Sequence, residues 1–198
     1  MHAEMKPIRL YADVLPGYSL KARAEYELGG THQIVLAKHL QEGLTYHYQD
    51  AHLLRIQPKT SADKYRIKAG DVLFIARGIR NQSILVDFVP ELTIASSTLY
   101  ILRIKNNKEI IPAYLAWCLN QTLVQSRILQ VRTGAGTPLV QRKLLGDIPI
   151  PIPPWDKQVQ IAELAALMQK EKQLRQQLLQ ASDQYHEKVG KLLLKQFY

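Results

Sequence analysis

Four closely spaced prolines constrain this chain more than any other feature. They lie between Gly146 and Trp155, in the segment GDIPIPIPPW. Each proline ring fixes φ, removes an amide donor and biases the preceding residue toward extended geometry. From Asp156 to Tyr198 the chain contains no proline and favours helix. The sequence therefore predicts a compact body, residues 1–154, followed by one long helix, residues 155–198, with Asp156 as its N-cap.

The body is predicted to be α+β, with a mixed, mostly antiparallel β structure and short helices. Apolar and β-branched runs that stop at turns or prolines predict strands; these runs are Ile34–Ala37, Leu53–Ile56, Tyr65–Ala69, Val72–Ala76, Ser83–Val89 and Thr98–Ile104. Proline at the first helical position predicts a helix at Pro112–Leu119. A second helix is expected at Leu123–Gln130, and residues 132–138 are expected to form a loop.

The net charge is +9, and most of the excess lies in the body. Residues 156–198 hold 7 of the 26 Lys and Arg and 5 of the 17 Asp and Glu, which leaves 19 basic and 12 acidic residues for the body. Such an excess indicates a polyanionic partner, because Lys and Arg release condensed counterions from phosphates. Solubility alone is the other explanation of the same charge.

The chain is expected to be cytoplasmic and to make no contact with a membrane. No run approaches the roughly 18 apolar residues that span a bilayer, and the first residues, MHAEMKP, lack the apolar core of a signal peptide. The single cysteine, Cys118, excludes an internal disulfide and lies in an apolar stretch. We expect it to be a small buried hydrophobe.

The apolar residues of the C-terminal helix follow a heptad repeat that Glu171 and Lys188 interrupt. These apolar residues are Leu164, Leu167, Leu174, Leu178, Ala181, Tyr185 and Leu192. A helix of about 40 residues is roughly 60 Å long, so its own body cannot cover the whole stripe. We expect a second helix to cover it, from a second copy of the chain in a homodimer or from a partner. A helix that folds back on its own domain is the alternative.

Five segments of the chain carry a resemblance to a known family. They are Lys68–Gly78 (KAGDVLFIARG), Ile94–Arg103 (IASSTLYILR), Ile111–Asn120 (IPAYLAWCLN), Gly136–Pro138 (GTP) and Leu145–Ala162 (LGDIPIPIPPWDKQVQIA). In order and spacing they resemble one target recognition domain and one conserved spacer helix of the specificity subunit of type I restriction–modification systems. The match is specific in combination, although no single segment is diagnostic. The resemblance implies a DNA-specificity subunit that is not itself a catalyst.

The usual specificity subunit carries two recognition domains and two spacer helices, whereas this chain resembles one of each. The resemblance therefore implies a half-length form that pairs through its spacers and reads two inverted half-sites across a gap. It also implies that the partners are double-stranded DNA, methyltransferase subunits and, in a restricting system, translocase subunits. Methyl donor and ATP would bind those partners, so no cofactor is expected on this chain.

Candidate DNA-contact residues form three groups. Arginine suits guanine O6/N7, and Asn or Gln suits adenine N6/N7. The first group is Arg77, Arg80, Asn81, Gln82 and Ser83, and the second is Arg132, Thr133, Thr137, Gln141, Arg142 and Lys143. The third group is Tyr18, Lys21 and Arg23, which rests only on the position of a glycine-containing loop in the family that the chain resembles. A solvated hairpin loop and a structural turn are the alternatives for the first two groups.

The sequence predicts no catalytic residue and no metal site. The segment Ile152–Trp155 is superficially similar to a motif of amino-methyltransferases, but Ile152 cannot accept a hydrogen bond from an exocyclic amine. His47 and His52 have no cysteine support and fit no common metal-site spacing. The alternative function is a coiled-coil protein-interaction adaptor, whose body binds protein and whose charge serves solubility.

Overall fold

The computed structural model describes residues 4–20, 29–40, 45–48, 54–134, 136–195 and 197. The chain divides into two compact units, Met1–Ala162 and Glu163–Tyr198. The described strands are β1 (Glu4–Pro7), β2 (Ala12–Pro16), β3 (His32–Val35), β4 (Thr45–His47), β5 (Arg55–Ile56), β6 (Val72–Ile75), β7 (Ser83–Phe88), β8 (Thr93–Ala95), β9 (Leu99–Ile104), β10 (Arg132–Thr133), β11 (Leu139–Val140) and β12 (Pro149–Ile152). The described α-helices are α1 (Pro112–Leu119), α2 (Thr122–Gln130), α3 (Arg142–Asp147) and α4 (Trp155–Leu194).

The largest sheet has five strands in the order β2-β9-β6-β7-β4. Its neighbouring strands are antiparallel except for β4 and β7, which are parallel. The other described strands form a three-stranded sheet, β5-β3-β8, and two pairs, β1-β12 and β10-β11. The predicted fold class is confirmed: the body is a mixed, mostly antiparallel β structure with short helices, and a long helix follows it.

The middle strand of the largest sheet is buried on both faces. Every residue of β6, with the sequence VLFI, is buried, as a continuous apolar run predicts. Val72 and Phe74 belong to a core cluster that contains Tyr114 and Leu115 of α1. Leu73 belongs to a second cluster formed with residues of the neighbouring strands. The two clusters fix β6 at the centre of the body.

The proline-rich segment forms an edge strand, which is where a sheet tolerates proline. β12 pairs antiparallel with β1 along its length. Tyr114 Oη donates a hydrogen bond to the carbonyl oxygen of Pro151 (2.8 Å), and Arg127 Nη1 donates to that of Pro149 (2.6 Å). The segment is therefore held by the first strand and by side chains of α1 and α2.

The helix α4 begins at Trp155, directly after the last proline. The carbonyl oxygen of Pro154 accepts hydrogen bonds from the amides of Lys157 (3.0 Å) and Gln158 (3.1 Å). The prediction of Asp156 as N-cap is wrong, because the helix begins at Trp155 and Pro154 occupies the capping position. Asp156 instead lies in the first turn, where a carboxylate stabilises the helix dipole.

Gln158 fixes the first turn of α4 to the body. Its side chain is buried; Oε1 accepts a hydrogen bond from the Ile111 amide (3.0 Å), and Nε2 donates to the carbonyl oxygens of Glu109 (3.1 Å) and Pro153 (3.0 Å). The amide is thus satisfied at both ends, as a buried polar group requires. Like the other described helices, α4 lacks the apolar length that crossing a membrane requires.

Two local predictions in the body are wrong. Residues Asp63–Tyr65 form a single turn of 3-10 helix in place of the start of the strand predicted at Tyr65–Ala69, and Arg66 makes only an isolated bridge. The loop predicted at 132–138 begins with β10, which pairs with β11 in a hairpin, and α3 follows it. Local hydrogen bonds form both elements: the amides of Tyr65 and Arg66 donate to the carbonyl oxygens of Ala62 and Asp63, and β10 and β11 pair across a short turn.

A buried ion pair holds the turn before β6 against β9. Arg103 donates from Nε to Asp71 Oδ1 (2.9 Å) and from Nη2 to Asp71 Oδ2 (2.7 Å). Arg103 Nη2 also donates to the carbonyl oxygen of Arg66 (2.8 Å), and Asp71 Oδ2 accepts the Lys68 amide (3.0 Å). The Asp71 side chain is only 2% exposed. Its hydrogen bond to the guanidinium raises the pKa of Arg103 above the ordinary value.

Replacing Asp71 with asparagine is expected to lower the free energy of unfolding by about 3 kcal/mol, because it removes the charge partner of a partly buried arginine. Urea unfolding followed by tryptophan fluorescence measures the change. The control is Glu4→Gln, which removes an exposed ion pair with Lys6 and is expected to cost less than about 1 kcal/mol. Equal losses in the two variants would contradict this account of the Asp71 pair.

Candidate nucleic-acid interface

The first two groups of predicted DNA-contact residues lie side by side in the fold. After β6, the Gly78 amide donates to the carbonyl oxygen of Pro138, and the Val140 amide donates to that of Ala76, each at 2.9 Å. Arg132 Nη2 donates to the carbonyl oxygen of Gly78 (3.1 Å), across 54 residues of sequence. Hydrogen bonds to the backbone therefore join two segments that are far apart in the chain.

The polar side chains that these two segments present form what we call the basic surface. It consists of Arg77, Arg80, Arg132, Thr133, Thr137, Gln141, Arg142 and Lys143, all exposed except Arg132, which is half-buried. Among the residues that the structure describes, no carboxylate lies within 4.0 Å of Arg77, Arg142 or Lys143. The surface therefore combines the positive charge of these three side chains, which no described carboxylate neutralises, with hydroxyl and amide groups.

Tyr100 joins the second of these segments to the largest sheet. Its hydroxyl donates a hydrogen bond to the carbonyl oxygen of Val140 (2.9 Å), and its ring stacks on Phe74 in the core. Burial raises the pKa of Tyr100, and the positive charges of Arg142 and Arg77 partly oppose that shift. The neutral phenol thus anchors β11 to the sheet, with both arginines close enough to act on it electrostatically.

A groove of about 470 Å³ adjoins this surface and is lined in part by Arg142 and Lys143. Arg9 and Lys105 also line the groove, but each is paired with a carboxylate: Arg9 Nε with Asp147 Oδ1 at 2.7 Å, and Lys105 Nζ with Asp13 Oδ1 at 3.3 Å. An anion in the groove would therefore meet Arg142 and Lys143 first. This is the chemistry that a phosphate requires, since phosphate contacts position a protein on nucleic acid.

Two residues of the first predicted group point into the core. Asn81 is buried, and its Nδ2 donates to the carbonyl oxygen of Ile75 (2.9 Å). Ser83 is fully buried at the start of β7, and Gln82 is half-buried. Base contact by Asn81 or Ser83 is therefore not supported by their placement, because neither side chain is accessible from outside.

Tyr18, from the third predicted group, is also buried. It belongs to a small core cluster, and the preceding Gly17 packs so closely that an added Cβ would lie 2.0 Å from the carbonyl oxygen of Ser96. Close packing explains this glycine without a ligand. Lys21 and Arg23 lie outside the residues that the structure describes, so their assignment stays a prediction.

Two amides that the sequence analysis missed hold the base of the loop between β6 and β7. Asn120 Nδ2 donates to the carbonyl oxygen of Ser83 (2.7 Å), and Asn120 Oδ1 accepts from the Ser83 amide (2.8 Å). Gln125 Nε2 donates to the carbonyl oxygens of Asn81 (2.9 Å) and Leu119 (2.6 Å). A loop ordered in advance loses less entropy when it binds. In the sequence, an asparagine at the end of a predicted helix indicates only a capping residue, so its bond to a distant loop could not be predicted.

Ile79 is a further candidate that the sequence analysis missed. It lies in the same loop between Arg77 and Arg80 and is 81% exposed. Gly78 before it has a φ of +103°, a conformation that glycine adopts without strain. Apolar side chains in DNA interfaces contact the methyl group of thymine. The placement of Ile79 between two exposed arginines is suited to such a contact.

The predicted pairing residues form an exposed stripe on α4, which we call the helical seam. The seam consists of Leu164, Leu167, Leu174, Leu178, Ala181, Tyr185 and Leu192. Its leucines and tyrosine are 55–72% exposed, and Ala181 is exposed as well. Leu167, Leu174 and Leu178 line one shallow groove. The single chain thus presents to solvent an apolar stripe that only Glu171 and Lys188 interrupt between Leu164 and Leu192.

The described residues offer little for nucleophilic or metal chemistry. Burial raises the pKa of Cys118 to about 11, so its thiol is protonated at neutral pH and is a poor nucleophile. His47 lies 3.2 Å from Asp87 in an exposed pair, and His52 is outside the described ranges. In those ranges no three metal-ligating side chains come together.

The family of the chain follows from a match to the type I restriction modification DNA specificity domain over residues 24–180. The match covers well over half of the sequence, and the chain belongs to this family. The family provides DNA specificity rather than catalysis, in agreement with the expectation of a chain that is not an enzyme. A comparison with curated proteins gave no match.

Solved structures share the fold. The type I restriction–modification S subunit from M. genitalium matches with a TM-score of 0.60 at 13% identity, over 91% of this chain and 42% of that one. A chain from a structural study of assembly and conformational transition of the type I R-M system matches with a TM-score of 0.68 at 14% identity. The match covers 94% of this chain and 43% of that one. The HsdS subunit from Thermoanaerobacter tengcongensis matches with a TM-score of 0.58 at 16% identity. The match covers 85% of this chain and 37% of that one. This chain therefore spans about two fifths of those subunits, and the resemblance found in the sequence is confirmed.

Replacing Asn120 with alanine is expected to lower the free energy of unfolding by about 2 kcal/mol, because two hydrogen bonds to the Ser83 backbone are lost. Amides of residues 77–83 should also exchange faster with solvent, as hydrogen–deuterium exchange would measure. The control is Asn106→Ala, whose side chain bonds only within an exposed turn. Unchanged exchange at residues 77–83 in Asn120→Ala would show that this amide does not order the loop.

Proposed function

We propose that this chain is a DNA-specificity component of a type I restriction–modification system. In this proposal residues 1–154 read one half-site, and residues 155–198 pair two copies of the chain. The pair would bring methyltransferase subunits, and in a restricting system translocase subunits, to a bipartite site. The observation that carries the proposal is the union of two basic segments into one surface in a chain of the DNA-specificity family.

The basic surface offers both kinds of contact that sequence reading requires. Arg77 and Arg80 lie in a loop fixed at its base, and an arginine fork matches guanine O6/N7. Gln141 can present its amide to adenine N6/N7. Arg142 and Lys143 on the adjoining groove suit phosphates, which set the position of the protein but carry no sequence information. We assign base reading to the first three residues and backbone positioning to the other two.

The helical seam supports the pairing part of the proposal. Burial of one leucine contributes about 2 kcal/mol, and five leucines of the seam are more than half exposed. Two copies joined along this stripe would present two recognition bodies to one duplex. Once one body of the pair is bound, the other binds the same duplex at a high effective concentration. This raises the affinity of the pair for DNA without any new kind of interaction.

Replacing Arg142 with alanine is expected to weaken binding to all duplexes about equally and to reduce the slope of log K against log salt by about 1, because one phosphate contact is lost. Replacing Arg77 with alanine should instead cost about 1–3 kcal/mol at the preferred sequence and relax the preference at one base pair. Fluorescence anisotropy with labelled duplexes across a salt series measures both changes.

The matched control is Lys108→Ala. Lys108 is exposed in the turn that follows β9, at the opposite end of that strand from Leu99 and Tyr100. This change removes the same charge but should leave the salt slope and the sequence preference unaltered. Duplex binding that does not depend on salt would contradict the proposal and favour the protein-interaction adaptor. If Lys108→Ala and Arg142→Ala reduced the salt slope equally, the assignment of phosphate contact to the basic surface would be contradicted.

A further inference from the structure

The two charged residues that interrupt the heptad are opposite in sign. Glu171 and Lys188 fall at positions that the repeat of the helical seam assigns to the seam itself, 17 residues apart. Both lie on α4, and both are exposed in the single chain. Glu171 is paired within the helix with Arg175, one turn further on. A seam that is covered by another helix must find a partner for each of these charges.

A second copy of α4 in antiparallel orientation supplies both partners at once. We place Glu171 opposite Lys188 of the second copy. Because the two helices run in opposite directions, each seam position on one helix then lies opposite a seam position on the other. The facing pairs then contain six of the seven seam residues: Leu167 with Leu192, Leu174 with Tyr185, and Leu178 with Ala181. The seventh, Leu164, faces Lys195, directly after the end of α4. By the two-fold symmetry of the pair, the Glu171–Lys188 contact forms twice.

Other arrangements leave the charges without suitable partners. In a parallel, in-register pair, Glu171 faces Glu171 and Lys188 faces Lys188. A parallel stagger cannot bring the two together, because they occupy different positions of the heptad. An antiparallel pair shifted by one heptad places Lys188 opposite Leu164 or Leu178. Only the first register gives both Glu171 and Lys188 a partner of opposite charge, and it sets a leucine against a charge only at its ends, where Leu164 faces Lys195.

We propose that Glu171 and Lys188 determine the register and the partner of the helical seam, so that it fits a second copy of this chain in antiparallel orientation. The two-fold axis then passes between Leu179 and Gln180. The inference rests on the proposed pairing through α4 and adds to it the residues that select the partner. Charged residues in such a seam reduce stability but select one register against the alternatives.

Charge exchange in the full chain tests this proposal. Glu171→Lys places lysine opposite Lys188 twice in each pair, and Lys188→Glu places glutamate opposite Glu171. Each single variant is expected to raise the dimer dissociation constant at least about tenfold, because like charges then face each other. The variant with both changes should return to within a few-fold of the original, and an equimolar mixture of the two single variants should form mixed dimers. Sedimentation equilibrium over a micromolar range measures these constants.

Asp183→Lys is the matched control, since it changes one charge on the opposite side of the heptad and should leave dimerisation unaltered. Circular dichroism checks that each variant keeps its helix. If the unaltered chain is a monomer throughout the range, the proposed pairing fails, and this inference fails with it. If the unaltered chain is a dimer but the double variant is as weak as the single ones, only the antiparallel register is overturned.

Discussion

The pairing of the proline-rich strand with the first strand is the constraint on which the rest of the structure depends. Prolines exclude helix from this segment, and β1 gives it an edge on which their missing amide donors are tolerated. Side chains of α1 and α2 bond its carbonyl oxygens, and Gln158 then ties the first turn of α4 to the same place. The start of the long helix is therefore fixed on the body, a prerequisite for any function that couples reading to pairing.

The basic surface depends on the same kind of long-range backbone contact. Arg77 and Arg80 lie on the connection between β6 and β7, where side chains can vary without loss of the core, whereas Arg132 and Arg142 are the first residues of β10 and α3. Their positions are nonetheless set by the hydrogen bonds between residues 76–78 and 138–140 and by the amides of Asn120 and Gln125. Buried apolar strands, with the Asp71–Arg103 pair at one end, keep that frame rigid. In the proposed function, recognition thus depends on side chains whose backbone is held against the core.

The parts of the fold that the sequence predicts well are those that local physics decides. The buried run of β6, the helix after Pro112, the non-helical prolines and the long C-terminal helix all follow from periodicity and from proline geometry. Asn81 and Ser83 look like ligand-facing residues in the sequence, yet the structure buries both side chains, and Asn81 Nδ2 donates a hydrogen bond to the carbonyl oxygen of Ile75. The hydrogen bond between residues 78 and 138, and the bonds of Asn120 to the Ser83 backbone, join parts of the chain that are distant in sequence. A single sequence carries no signal of such contacts, whereas Glu171 and Lys188 could be recognised as a matched pair from the heptad alone.

The central claim is that two copies of one reader, joined by their C-terminal helices, bind one duplex. Hydroxyl-radical footprinting of a selected duplex, saturated with the chain, tests this claim most directly. The account predicts two protected segments of equal width, with inverted sequences and a constant gap between them. A single protected segment at saturation, or protection that does not depend on sequence, would contradict it.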